Sequence, residues 1–245
     1  MAHAIQWLRS LVFNVQIYVM MAVMAVLFFP LALWSRDGAV FACKTWCRWV
    51  LWTASWMIGL TVELRGTPPR DPALVAAKHQ SFLDIIVIFL NVPLPRFIMK
   101  RILLFSPILG QYAWRVGCVP VNRGKRGKAV AQMVQQVTAG LRRPGQLVIY
   151  PQGTRVAPGD RKPYKVGTAI LYETMGQPCV PVATNVGLFW PKRGVYRKPG
   201  RAVVEFLPPI LPGVDRDAFL SRIESDIETA SNRLMAEAGF RTPPA

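Results

Sequence analysis

The stretch ALVAAKHQSFLDIIVIFL, residues 73–90, carries the clearest structural pattern in the chain. Its first five residues are apolar and predict a short buried strand, whereas residues 82–90 predict an apolar helix. His79 would then lie in the loop between them, and Asp84 in the first turn of the helix. On one continuous helix these two side chains would point about 140° apart, at roughly 100° per residue. A strand, a loop and a helix in succession instead allow them to meet.

The pair His79 and Asp84 is the first candidate site. The chain has two histidines, and His79 is the only one beyond residue 3. An aspartate that accepts a hydrogen bond from one ring nitrogen orients the imidazole and stabilises its protonated form, so that the other nitrogen can take a proton from a substrate hydroxyl. The alternative is a loop histidine beside a helix-capping aspartate, and this short pattern alone leaves both interpretations open.

Three further sequence blocks follow the first one along the chain. They are GCVPVNR at residues 117–123, PQGTR at residues 151–155 and VPV at residues 180–182. With residues 79–84, the series resembles the glycerolipid acyltransferase family, and most closely its bacterial 1-acyl-sn-glycerol-3-phosphate acyltransferases (lysophosphatidic acid acyltransferases). The resemblance covers about residues 78–182, and the order and spacing of the blocks argue against coincidence.

The resemblance implies a role for several residues. In that family the first block holds the catalytic histidine and aspartate, which correspond here to His79 and Asp84. The second and third blocks of the family bind the glycerol phosphate. The implied phosphate-binding residues are Lys100, Arg123 and Arg155. The implied substrate-binding loop consists of Gln152, Gly153 and Thr154. Acyl transfer by this scheme requires no metal and no cofactor.

The chain departs from the family pattern at three positions. Gln152 stands where the family usually has glutamate, so a side-chain acceptor is kept but its charge is lost. Lys78 stands where asparagine is common, and Asn122 where an acidic residue is frequent. All three changes raise the local positive charge, and Lys78 is expected to add positive charge near the substrate phosphate. The role of Gln152 stays open at this point.

The overall charge is strongly positive, with 30 Lys and Arg against 13 Asp and Glu, a formal net charge of +17. Such an excess predicts attraction to anionic surfaces, either membrane or nucleic acid. The sequence has no zinc-finger spacing and no aromatic RNA-binding motif, and 52% of its residues are hydrophobic. We therefore expect a lipid membrane and no nucleic acid as partner.

The first 60 residues predict a two-helix membrane anchor joined near residues 35–38. Residues 11–34 contain no charged side chain and as a helix would extend about 36 Å, enough to cross a hydrocarbon core of roughly 30 Å. The second segment, residues 40–60, contains Lys44 and Arg48 and is rich in tryptophan, which is typical of the headgroup region. The anchor could span the bilayer or dip into one leaflet. A cleaved signal peptide and ordinary core helices are the alternatives.

Residues 61–238 predict one α/β domain, and residues 239–245 a flexible tail. The expected fold is a single mixed, mostly parallel sheet flanked by helices. The predicted strands cover residues 61–64, 74–77, 97–100, 118–121, 147–150, 180–183 and 202–206. An amphipathic helix is predicted to bury Val130, Met133, Val134, Val137 and Leu141, and the last helix to begin near Asp215. In such a sheet, loops that follow strands converge at the carboxyl edge, where the candidate residues are expected to share one pocket.

The four cysteines, Cys43, Cys47, Cys118 and Cys179, show neither metal-ligand spacing nor a disulfide framework. They are expected to be reduced thiols, in agreement with an active domain on the cytoplasmic face of a bacterial inner membrane. Cys118 or Cys179 could alternatively act as a nucleophile with His79, although both lie in apolar strand-like runs typical of structural cysteines. Ser81 is a further alternative nucleophile, outside any Gly-x-Ser-x-Gly pattern.

The resemblance thus implies a membrane-associated acyltransferase of phospholipid biosynthesis. It would transfer an acyl group from acyl-CoA or acyl carrier protein to the free hydroxyl of lysophosphatidic acid, with phosphatidic acid as product. Three alternatives stay open. They are an acyltransferase for another lyso-lipid such as lyso-ornithine lipid, a non-enzymatic basic membrane-surface protein, and a nucleic-acid binder.

Overall fold

The computed structural model describes residues 1–121, 126–140 and 145–240. The helices are α1 Ala2–Leu27, α2 Phe29–Trp34, α3 Arg36–Met57, α4 Leu83–Asn91, α5 Leu109–Val116, α6 Arg126–Gly140, α7 Gly167–Met175 and α8 Arg216–Glu237. The strands are β1 Leu60–Arg65, β2 Ala73–Ala77, β3 Pro95–Lys100, β4 Val119–Val121, β5 Gln146–Ile149, β6 Cys179–Thr184 and β7 Gly200–Phe206. Short 3-10 helices cover Arg101–Phe105 and Val186–Leu188.

The seven strands of the described residues form one sheet in the order β1-β7-β6-β2-β5-β3-β4. Neighbouring strands are parallel except β6 and β7, which are antiparallel. Helices α4, α5, α6 and α7 connect successive strands from β2 to β6, as parallel neighbours require. The predicted single mixed, mostly parallel sheet is therefore confirmed.

The two faces of the sheet are covered by different helices, because successive side chains of a strand point to opposite faces. In β2, Val75 and Ala77 belong to a core with α1, α3, α4 and α5. Leu74 and Ala76 belong to a second core with α6, α7 and α8. All five residues of β2 are buried, which explains why this strand appears in the sequence as a continuous apolar run.

Helices α6 and α8 agree with the sequence prediction where the structure describes them. Met133 and Val137 of α6 are buried in the second core. The side chain of Val130 and the whole of Leu141 lie outside the described residues. Asp215 caps α8, since its carboxylate accepts hydrogen bonds from the backbone N–H groups of Asp217 and Ala218.

The N-terminal region differs from a simple helical hairpin. The predicted joint at residues 35–38 follows a separate short helix, α2, and Ser35 caps α3 by accepting a hydrogen bond from the Gly38 N–H at 2.9 Å. Helix α3 is only partly exposed and has eight buried residues, and Val50 and Ala54 among them belong to the core that α3 shares with α1 and the α/β domain. In the described part of the chain, α1 is the one helix long and apolar enough to cross a membrane. The two-helix anchor is thus found only in part.

The polar side chains within the apolar stretch of α1 bond to other protein groups. Asn14 donates a hydrogen bond from Nδ2 to the carbonyl oxygen of Val195 at 2.9 Å. Gln16 donates to Thr53 Oγ1 at 3.0 Å and accepts from the indole of Trp49 at 2.8 Å. These contacts attach α1 to α3 and to the α/β domain, which no local pattern in α1 indicates.

Candidate active site

His79 and Asp84 meet as the sequence spacing predicted. β2 ends at Ala77, α4 begins at Leu83, and the loop between them brings His79 Nδ1 to 2.9 Å from Asp84 Oδ1. The other carboxylate oxygen of Asp84 accepts hydrogen bonds from the backbone N–H groups of Gln80 and Ser81, at 2.9 and 2.8 Å. Asp84 is completely buried, and these bonds hold its carboxylate in one orientation.

This hydrogen-bond pattern assigns the proton on the imidazole ring. A carboxylate can only accept hydrogen bonds, so His79 Nδ1 must donate to Asp84. In the neutral ring Nε2 is then unprotonated and can act as an acceptor. The side chain of His79 keeps 13% of its accessible surface, so a substrate hydroxyl can approach it. The arrangement has the chemical requirements of a general base with an orienting acid.

Tyr150, which follows β5, packs against the imidazole and was not singled out by the sequence analysis. Its ring stacks on His79 with centroids 3.9 Å apart and an interplanar angle of 17°. Burial, and secondarily the nearby Asp84 carboxylate, raise the pKa of the Tyr150 phenol well above its ordinary value, so the ring stays neutral. The signal available in the sequence was its place directly before the third block.

The third block lies against the histidine loop. The backbone N–H of Val156 donates to the carbonyl oxygen of His79 at 2.8 Å, which joins the two segments. Gly153 has a φ of 71°, a conformation that favours glycine, and its N–H donates to the Tyr150 carbonyl at 2.8 Å in a tight turn. Thr154 and Arg155 are half-buried in the same loop. Arg155 donates from Nη1 to the carbonyl oxygen of Lys192 at 3.2 Å.

Gln152 points into the protein. Its side chain is 1% exposed, and Nε2 lies 3.4 Å from both the carbonyl oxygen of Lys162 and Glu228 Oε1. Because Glu228 lies in α8, the second of these contacts joins the third block to the last helix of the domain. The sequence around Gln152 leaves its role open and does not indicate Glu228 as a partner.

The expectation that Lys78 adds positive charge near a substrate phosphate is wrong. Its side chain is 2% exposed, and Nζ lies 2.6 Å from both carboxylate oxygens of Glu228. The phenol of Tyr164 donates to the same carboxylate at 2.9 Å. The positive charge of Lys78 is therefore paired inside the protein, as the burial of an ammonium group requires.

Of the predicted phosphate-binding residues, Lys100 lies at the same edge of the sheet as the histidine loop. Lys100 is exposed at the carboxyl end of β3, and β5 lies between β3 and β2 in the sheet. Because these strands are parallel, Lys100 shares the sheet edge with His79 and the third block. Arg123 lies outside the described residues.

The cysteine alternative is disfavoured by burial. All four cysteines have free thiols. Burial raises the pKa of the Cys118 thiol to about 11 and that of Cys179 to about 12, so neither is a thiolate near neutral pH. We expect Cys118→Ala and Cys179→Ala to keep turnover within about twofold of the unmodified protein, measured on folded material. Complete loss of turnover in either variant without unfolding would favour a covalent mechanism.

An apolar cavity of about 140 Å³ lies beside the candidate site. Helices α1, α3, α4 and α5 line it with apolar and aromatic side chains, including Met24, Trp46, Phe82 and Leu109. Phe82 belongs to the first sequence block and lies two residues before Asp84. The structure thus places the hydrogen-bonded pair His79 and Asp84 next to a space suited to hydrocarbon.

The chain thus has an α/β sheet whose carboxyl edge holds a histidine that is oriented by an aspartate. A model of the Acyltransferase family matches residues 60–185, and the chain belongs to that family.

Individual relatives support the same assignment. The chain is 28% identical over 202 residues to the 1-acyl-sn-glycerol-3-phosphate acyltransferase of Pseudomonas aeruginosa, an alignment that covers 80% of this chain and 77% of that protein. It is 30% identical over 171 residues to the alpha form of the enzyme of that name from Mus musculus, covering 66% of this chain and 59% of that protein. The crystal structure of the 1-acyl-sn-glycerophosphate (LPA) acyltransferase PlsC from Thermotoga maritima has the same fold, with a TM-score of 0.79, 18% identity and coverage of 96% and 100% of the two chains.

Proposed function

We propose that this acyltransferase acylates the free hydroxyl of 1-acyl-glycerol-3-phosphate and forms phosphatidic acid. The observation that carries the proposal is the 2.9 Å contact between His79 Nδ1 and Asp84 Oδ1, which leaves Nε2 as the proton acceptor. The names of the bacterial and mouse relatives support the choice of substrate. The donor is acyl-CoA or acyl carrier protein, both of which present the acyl group as a thioester.

The proposed reaction is direct transfer between thioester and hydroxyl. His79 Nε2 accepts the hydroxyl proton while the hydroxyl oxygen attacks the thioester carbonyl carbon. The carbon–sulfur bond then breaks, the new ester forms, and the imidazolium returns the proton to the leaving thiolate. Asp84 stabilises the imidazolium during this cycle, and the neutral ring of Tyr150 holds the imidazole plane.

Substrate binding is proposed to use two regions. Lys100, Arg123 and Arg155 would hold the phosphate, with arginine suited to bidentate contact and lysine to a point charge. Gln152, Gly153 and Thr154 would shape the loop beside it. The apolar cavity next to Phe82 supports a place for an acyl chain, because its lining offers hydrocarbon contacts and almost no polar group.

Association with a membrane is part of the proposal. Helix α1 is 26 residues long and mostly exposed, as a lipid-contacting helix would be. Large apolar side chains are also exposed on the 3-10 helix and α5 next to Lys100, with Ile102, Phe105 and Trp114 at 68%, 74% and 66%. Apolar side chains beside cationic ones are typical of surfaces that lie in the headgroup region. We place the active domain at the cytoplasmic face of a bacterial inner membrane.

The direct test is a substrate comparison with the purified protein in mixed micelles. We expect phosphatidic acid from lysophosphatidic acid with acyl-CoA, acyl carrier protein thioester, or both. Lyso-ornithine lipid should give no acylated product. Acylation of lyso-ornithine lipid alone would contradict the proposed substrate, and the absence of product in every combination would contradict the proposed activity.

The phosphate assignment predicts a binding defect in Lys100→Ala. Loss of one cation that contacts phosphate should raise KM for lysophosphatidic acid about tenfold and change kcat much less. Arg222→Ala is the matched control, because Arg222 is an exposed cation on α8 with an ion pair to Asp226 at 3.6 Å. Equal KM values for the two variants would remove Lys100 from the phosphate site.

A further inference from the structure

Glu228 of α8 connects three segments that are distant in sequence. Its carboxylate pairs with Lys78, the residue before His79, at 2.6 Å. It accepts a hydrogen bond from the phenol of Tyr164 at 2.9 Å and lies 3.4 Å from the amide nitrogen of Gln152. Lys78 and Gln152 are also two of the three positions at which the chain departs from the pattern of the family it resembles. The structure brings both departures to the same carboxylate.

From these contacts we infer that Glu228 is a positioning residue, which holds the third block in register with the histidine loop. The inference rests on the proposed function, in which both segments contact the substrate. Lys78 and His79 share a peptide bond, and the third block begins one residue after Tyr150, which stacks on the imidazole. A shift of either segment would change the distance between His79 Nε2 and a hydroxyl held by the phosphate site.

The carboxylate has two separable tasks. The first is to neutralise Lys78, whose side chain is 2% exposed and whose ammonium group would otherwise be a buried unpaired charge. The second is to accept hydrogen bonds from Tyr164 and Gln152, which fixes both ends of residues 152–164. Charge neutralisation requires an anion, whereas a neutral amide oxygen is sufficient for the second task.

Two double variants separate these tasks. In K78M/E228Q neither buried charge remains, and the glutamine oxygen still accepts from Tyr164 and Gln152. In K78M/E228A neither charge remains, but both donors lose their acceptor. We expect K78M/E228A to have a Tm a few degrees below that of K78M/E228Q, because two donors lose their acceptor, and kcat is therefore compared at a temperature at which both proteins are folded. K78M/E228Q should keep kcat within about threefold of the unmodified protein, and K78M/E228A should lose about tenfold or more in kcat.

Two single variants serve as comparisons: E228Q tests the charge of Glu228, and D226N is the control. E228Q leaves Lys78 charged beside a neutral amide, so its Tm should fall by about 5 °C or more. D226N removes another acid from the same helix, at an exposed ion pair, and should change neither Tm nor kcat appreciably. Equal kcat values for K78M/E228Q and K78M/E228A would overturn the positioning role and leave Glu228 as a counter-charge only.

A readout independent of turnover distinguishes failure of this inference from failure of the proposed function. Gln152 and Tyr164 flank a segment with an exposed trypsin site at Arg161. Cleavage there should be about tenfold faster in K78M/E228A than in K78M/E228Q, since only the former has lost the acceptor that holds the segment. If the unmodified protein shows no acyl transfer but this difference is found, the proposed function fails and the positioning contact stands. Equal cleavage rates would reject the contact.

Discussion

His79→Ala is expected to lower kcat for acyl transfer to lysophosphatidic acid by about 10²-fold to 10⁴-fold, while the protein stays folded and keeps its affinity for lipid vesicles. The loss follows from the geometry of the site. Nδ1 is occupied by Asp84 at 2.9 Å, so Nε2 is the one ring atom available to accept the hydroxyl proton. Removal of a positioned general base typically costs this much. Alanine removes the stacking partner of Tyr150 and leaves the buried Asp84 Oδ1 without its donor, whereas the two backbone hydrogen bonds to Oδ2 remain, so a Tm lowered by several degrees is expected in a protein that still folds.

The other histidine provides a matched control. His3 stacks on Tyr196 with ring centroids 4.8 Å apart, as His79 stacks on Tyr150, but it lies near the start of α1. His3→Ala should leave kcat unchanged. Turnover should be measured with radiolabelled donor, and binding by co-sedimentation with anionic vesicles. Near-normal turnover in His79→Ala would exclude His79 and Asp84 as the catalytic pair. If the protein is a non-enzymatic membrane-surface protein, His79→Ala should have no effect.

Asp84→Asn is expected to lower kcat by about 10²-fold to 10⁴-fold through the tautomer of His79 rather than through the loss of the imidazole. The backbone N–H groups of Gln80 and Ser81 both donate to Asp84 Oδ2. An asparagine would keep its oxygen for these donors and turn its NH₂ group toward Nδ1. Nδ1 would then have to accept, the ring proton would move to Nε2, and Nε2 could no longer take a proton from the substrate.

The expected loss of kcat in Asp84→Asn can be distinguished from unfolding of the protein. Asparagine retains the two backbone hydrogen bonds that fix the loop, so the Tm should change little. Asp37→Asn, an acid in the first turn of α3, is the control for a helix-terminal aspartate without a histidine partner. The tautomer itself can be read from the ¹⁵N chemical shifts of the His79 ring. A wild-type kcat in Asp84→Asn, or an unchanged tautomer, would contradict the proposed role of the carboxylate.

The strands were predictable because burial on both faces leaves a signature in local composition. In β2, β5 and β6 every residue is buried, and each strand appears as an apolar run whose only polar members are Gln146 at the start of β5 and Thr184 at the end of β6. The contact of His79 with Asp84 was predictable for a similar reason. It spans five residues, and only a strand, a loop and a helix start satisfy both the apolar pattern and the approach of the two side chains.

The residues next to Lys78 in the sequence did not predict Glu228 as its partner. Glu228 lies 150 positions further along the chain, and the sequence around Lys78 differs little from that of an exposed cation. The stacking of Tyr150 on His79 depends on β5 lying next to β2, which is a property of the strand order. Helix α3 was predicted to lie at the membrane interface, and its contacts with the α/β domain became visible only when the whole core was assembled.

Short-range patterns alone therefore predicted the strands, the main helices, the approach of His79 to Asp84 and the edge of the sheet where the loops after the strands collect. Each of these features depends on residues within a few helical turns or one strand, where side-chain periodicity and backbone geometry determine which residues share a face. Strand order, the ion pair of Lys78 with Glu228, the stacking of Tyr150 and the attachment of α1 and α3 depend on the folded chain. Each of these contacts joins segments that are far apart in sequence, and the local sequence does not restrain their relative positions. The contacts form only in the folded chain, because buried polar groups require hydrogen-bond partners and apolar faces pack together.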